Sequence, residues 1–173
     1  PYRQYTLRDG LPQMQITCLL QDSRGYLWAG TKGGATCFNG ERFLNFSRGQ
    51  NLPDDYIYDL TEDLRGTIWM AHARGLSSWD GNQISSFPSG LPQQMIGTKI
   101  AADDAGRIWY LATMYYNASV FGTLEKGKFT DQRPLLPVPA QFTGHEDLVW
   151  SSKGNCLIVA VPPHVYEIRD DQA

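Results

Sequence analysis

Asp22-Ser23-Arg24-Gly25-Tyr26-Leu27-Trp28 decides the fold, because it returns as Asp63-Leu64-Arg65-Gly66-Thr67-Ile68-Trp69 and again as Asp103-Asp104-Ala105-Gly106-Arg107-Ile108-Trp109. The tryptophans stand 41 and then 40 residues apart. Ser151-Ser152-Lys153-Gly154-Asn155-Cys156-Leu157 is a worn fourth copy, with Leu157 in the tryptophan's place. Other landmarks keep the same phase. Leu11-Pro12, Leu52-Pro53 and Leu91-Pro92 precede the three clear copies, and Leu19, Leu60, Ile100 and Leu148 hold matching places. Phe38-Asn39-Gly40 and Trp79-Asp80-Gly81 follow their tryptophans at one spacing.

Each landmark has a physical task. Asp22, Asp63 and Asp103 can accept backbone N–H bonds in a turn, while Gly25, Gly66 and Gly106 supply positive φ. Trp28, Trp69 and Trp109 follow on strand-like alternation and suit the large volume between packed sheets. Asn39-Gly40 and Asp80-Gly81 are strong hairpin signals, and Lys126-Gly127 is a weaker one. One unit therefore predicts four antiparallel strands, and a repeat of about forty residues predicts an all-β protein of β-propeller blades. Blades are expected at 8–47, 48–88, 89–130 and 131–171, the last completed by a strand at 2–7, because Tyr2-Arg3-Gln4-Tyr5 aligns with Phe43-Leu44-Asn45-Phe46. Three arrangements satisfy these ends: a closed four-bladed ring, a segment of a larger propeller, or two arcs meeting face to face as a homodimer. Self-association is the expectation.

The 173 residues carry 15 basic and 18 acidic side chains, a net charge of −3 with no basic run, which argues against a nucleic-acid partner. No apolar run is long enough to span a membrane, and no targeting peptide is visible. The chain opens at Pro1 without methionine, as an excised segment would. Cys18, Cys37 and Cys156 form no metal spacing and read as small buried hydrophobes, with a Cys18–Cys37 disulfide left open. His72, His145 and His164 are scattered, so neither a metal nor another cofactor is expected.

Together these landmarks resemble the two-component regulator propeller repeat. Gly10-Leu11-Pro12 followed by Gln21 through Trp28-Ala29-Gly30-Thr31 is the best copy. The resemblance implies a noncatalytic, periplasmic sensory segment of a membrane-anchored hybrid histidine kinase, responding to a small-molecule ligand such as a glycan. The second copy departs with Ala71-His72, and the third inserts Thr113-Met114-Tyr115-Tyr116-Asn117.

Those departures supply the candidate ligand contacts. Tyr115, Tyr116 and Asn117 break the repeat in a loop, where binding residues concentrate, and His72 and Arg74 occupy the matching loop of the second blade. Lys32 lies in a glycine-rich loop that lacks the phosphate-loop pattern. The tryptophans and turn aspartates read as scaffold, so no catalytic residue is assigned. Two other function classes remain open. A propeller lyase or glycosidase would need facing carboxyl groups, for which His145-Glu146-Asp147 is the candidate cluster. An interaction platform has only the lone Trp79-Asp80 dipeptide in its favour.

Overall fold

The computed structural model describes residues 2–89, 95–114, 119–132 and 146–169. The first blade holds β1 (Ile16–Gln21), β2 (Leu27–Thr31), β3 (Gly34–Phe38) and β4 (Phe43–Phe46). The second holds β5 (Ile57–Glu62), β6 (Ile68–His72), β7 (Gly75–Trp79) and β8 (Ile84–Pro88). The third holds β9 (Met95–Ala102), β10 (Ile108–Met114), β11 (Ser119–Glu125) and β12 (Lys128–Asp131). The fourth has three strands: β13 (Asp147–Ser151), β14 (Cys156–Val161) and β15 (His164–Arg169). Each sheet is an antiparallel meander in sequence order. This is the predicted all-β propeller architecture.

The repeated turn explains why strands one and two pair in register. Asp22 N donates to Tyr26 O at 2.9 Å, and Gly25 N donates back to Asp22 O at 2.8 Å. The Asp22 Oδ1 oxygen takes the N–H groups of Arg24 and Tyr26 at 3.0 and 2.8 Å. Gly25, Gly66 and Gly106 stand at φ of +85°, +78° and +81°, where a side chain would be strained.

Blades adhere through apolar side chains at three interfaces. Trp28, Ala35 and Phe46 of the first blade pack with Ile57, Leu60, Ile68 and Met70 of the second. Ala71 and Leu76 meet Ile100, Ile108, Tyr110 and Leu124. Trp109, Leu111 and Phe121 meet Leu148, Leu157, Val159 and Val161. Each fully buried large side chain contributes about 1.5–3 kcal/mol. A polar link joins the first pair: β1 and β5 both bulge, and Thr17 Oγ1 donates to Ile57 O at 2.6 Å.

The expected strand at 2–7 does not add to the fourth sheet within this chain. Residues 2–6 form no strand, and Tyr5 instead packs on Phe38 and Phe43, with ring centroids 4.9 and 5.5 Å apart. The aromatic hairpin of its own blade thus holds this segment. Cys18, Cys37 and Cys156 are free thiols. Burial pushes Cys18 and Cys37 up to about 11, which suppresses the reactive thiolate. No helix among the described residues is long and apolar enough to cross a membrane.

Candidate functional site

Strand direction sorts the connections onto two faces. The Asp-x-x-Gly turns and the β3–β4, β7–β8 and β11–β12 hairpins share one end of the blades, and the loops between second and third strands share the other. The second group carries the predicted ligand contacts.

His72 ends β6 and is 1% exposed. Its Nε2 lies 2.9 Å from Ser77 Oγ, which in turn lies 3.1 Å from Ser86 Oγ. Its Nδ1 accepts the Arg74 backbone N–H at 3.3 Å. Both ring nitrogens are therefore engaged within the protein, and His72 shapes the loop that presents Arg74. Burial pushes its pKa down to about 4, the Asp54 charge opposing and the Arg74 charge reinforcing that shift. Arg74 is exposed, and its Nε sits 3.7 Å from an Asp54 carboxylate oxygen. On the neighbouring loop, Lys32 Nζ lies 5.4 Å from the Tyr56 ring centroid. Tyr115, Tyr116 and Asn117 fall outside the described residues, as does His145.

The four inner strands β1, β5, β9 and β13 line a polar cleft of about 460 Å3. Cys18, Asp59, Lys99 and Asp147 occupy one equivalent position there, four residues before the turn residue of each repeat. Lys99 Nζ lies 3.8 Å from an Asp147 oxygen, and Asp59 Oδ2 accepts the Ile100 N–H at 3.0 Å. Burial raises the Asp59 pKa, although Ile100 and Lys99 favour its charge. A cation flanked by carboxylates can hydrogen-bond hydroxyl-rich molecules. This layer was missed in the sequence, where alignment by repeat phase would have exposed it as Cys, Asp, Lys, Asp. No group of three potential metal ligands occurs among the described residues.

Residues 10–33 match the two component regulator propeller family model, so the chain carries this repeat in its first blade. The described architecture superposes on the extracellular domain assigned to the hybrid two component system BT3049 of B. thetaiotaomicron, with a TM-score of 0.65 and 21% identity over 92% of this chain and 24% of that one. It superposes equally on the extracellular domain assigned to the hybrid two component system BT4673 of the same organism, with a TM-score of 0.65 and 18% identity over 91% of this chain and 20% of that one. A third neighbour is a Bacteroides thetaiotaomicron structural genomics protein of unknown function, with a TM-score of 0.61 and 11% identity over 91% of this chain and 42% of that one. No curated protein matches the chain. At these identities the likeness concerns the propeller fold, and the chain spans about a quarter or less of the two extracellular domains.

Proposed function

We propose that this chain is a noncatalytic, extracytoplasmic sensory segment of a membrane-anchored two-component receptor. It detects a glycan or other polar small molecule and passes the signal to a histidine kinase or similar output. The regulator-propeller match over residues 10–33 carries the reading. Propeller neighbours that are extracellular domains assigned to hybrid two component systems support it. The stimulus meets the loop face, where Arg74, Tyr115, Tyr116 and Asn117 provide the contacts and His72 holds the Arg74 loop from beneath. The polar axial layer around Lys99 offers hydroxyl-binding groups to the same ligand. Binding shifts the packing of blades or subunits, and that shift reaches the output.

Calorimetry of the chain against a panel of oligosaccharides tests this. A binder whose affinity is lost in Arg74→Ala, Tyr115→Ala and Tyr116→Ala supports the loop face. A binder held normally by all three variants removes that site, while a panel with no binder counts against glycan sensing.

A further inference from the structure

The turn face carries a second cleft of about 520 Å3, between the second and third blades. Its origin lies in one departure from the repeat. At the first interface Trp28 stacks on Phe46 at 5.4 Å, and Trp79 of the next blade meets Phe46 at 5.0 Å. Trp28 is consequently 1% exposed. At the second interface the same pair is Trp69 on Phe87, also 5.4 Å apart. By strand register the position of Trp79 is taken in the third blade by Leu124, since Ile68 pairs with Trp79 and Ile108 with Leu124. The smaller leucine does not cover the stack, and Trp69 and Phe87 remain half-buried as one wall of the cleft.

A second departure leaves a cation there. Arg24 folds back onto its turn carboxylate, with Nη2 at 2.7 Å from Asp22. Arg65 holds the equivalent position but makes no such ion pair with Asp63, whose Oδ2 takes the Trp69 indole N–H at 2.9 Å. The Arg65 guanidinium has no acceptor among the described residues and lines the cleft. Asp104, Glu125 and Lys126 of the third blade line the same space, where Asp104 Oδ1 accepts the Ser152 hydroxyl at 3.1 Å and Lys126 Nζ lies 3.4 Å from Glu125 Oε1.

We infer that this cleft binds a uronic acid residue, a hydroxylated sugar ring bearing one carboxylate. The aromatic wall matches the apolar face of the ring. The Arg65 fork matches the ligand carboxylate, which a guanidinium can grip through two parallel hydrogen bonds. The remaining oxygens of Asp104 and Glu125 accept from ring hydroxyls, and Lys126 adds a second cation beside the ligand carboxylate. This site lies on the face opposite Arg74 and does not rest on the signalling reading.

The test uses the whole chain with digalacturonate as probe and neutral galactobiose as control, followed by tryptophan fluorescence and calorimetry. Digalacturonate is expected to perturb the fluorescence and to bind in preference to galactobiose. Arg65→Ala should weaken that binding by about tenfold or more, the loss of a charged hydrogen-bonded contact. Leu124→Trp, which supplies the missing cover, should abolish it, whereas Arg8→Ala, at an exposed arginine outside both sites, should leave it unchanged. No binding of digalacturonate, equal binding of galactobiose, or an Arg65→Ala variant with full affinity would overturn the inference. Loss of binding in Arg74→Ala would move the site to the loop face and overturn it as well.

Discussion

Trp109 donates its indole N–H to Asp103 Oδ2 at 2.8 Å, and the same bond joins Trp69 to Asp63 and Trp28 to Asp22 at 2.9 and 3.0 Å. The turn residue and the packing residue six positions later are thus one unit. Burial alone would raise Asp22, but bonds from Trp28, Arg24 and Tyr26 outweigh it and hold its carboxyl below the ordinary value. In the fourth blade both members are replaced together, by Ser151 and Leu157. That is the pattern expected when an orphaned buried partner is costlier than losing the pair.

Asp103→Ala should destabilise the chain by about 2–4 kcal/mol, because it strands the buried Trp109 indole donor and removes the Arg107 ion pair. Combining it with Trp109→Leu should cost less than the sum of the single variants, with a coupling of about 0.5–3 kcal/mol in urea unfolding. Strict additivity would show that the bond carries no energy of its own.

Trp28→Ala should cost about 3–5 kcal/mol, the range for emptying a filled aromatic site. Trp69→Ala should cost clearly less, because Trp69 is only half-buried beside the open cleft. Comparing the two unfolding midpoints checks this difference.

His72 gives a pH dependence with a definite sign. Its folded pKa is pushed from 6.5 down to about 4, so the unfolded chain binds more protons between those values. The neutral ring's contribution is complete above pH 6.5 and is lost as pH falls through the window, by about 3 kcal/mol. Stability curves at pH 7 and pH 4.5 should converge in slope for His72→Gln, which lacks the titration. An unchanged wild-type slope in that variant would assign the pH dependence elsewhere.

Among the described residues the fourth sheet has three strands, and the last of them, β15, has Val165 70% exposed. An exposed strand edge is a template for pairing with another chain. The isolated chain is expected to associate as paired arcs, and light scattering at micromolar concentration reads the mass. A monomer would contradict it.

The blades were legible in the sequence because turn chemistry and strand alternation repeat in phase. Asp22, Gly25 and Trp28 each act locally, and a local rule copied three times is hard to misread. The indole–carboxylate bond was not legible, since two sound separate reasons for aspartate and tryptophan concealed that they touch. The burial of His72 was not legible for a related reason. Its loop position suggested exposure, but Ser77 and Ser86 reach it only through strand pairing across β6, β7 and β8. The open cleft depends on Leu124 standing where Trp79 stands one blade earlier, a register visible only once the strands are paired.

Sensing is tested most directly by phosphate incorporation into the full-length receptor in membrane vesicles, measured across the oligosaccharide panel. An oligosaccharide bound at the loop face should change phosphorylation, and Arg74→Ala should abolish that response while leaving basal phosphorylation intact. Phosphorylation that is identical with and without every bound oligosaccharide would contradict a sensory role.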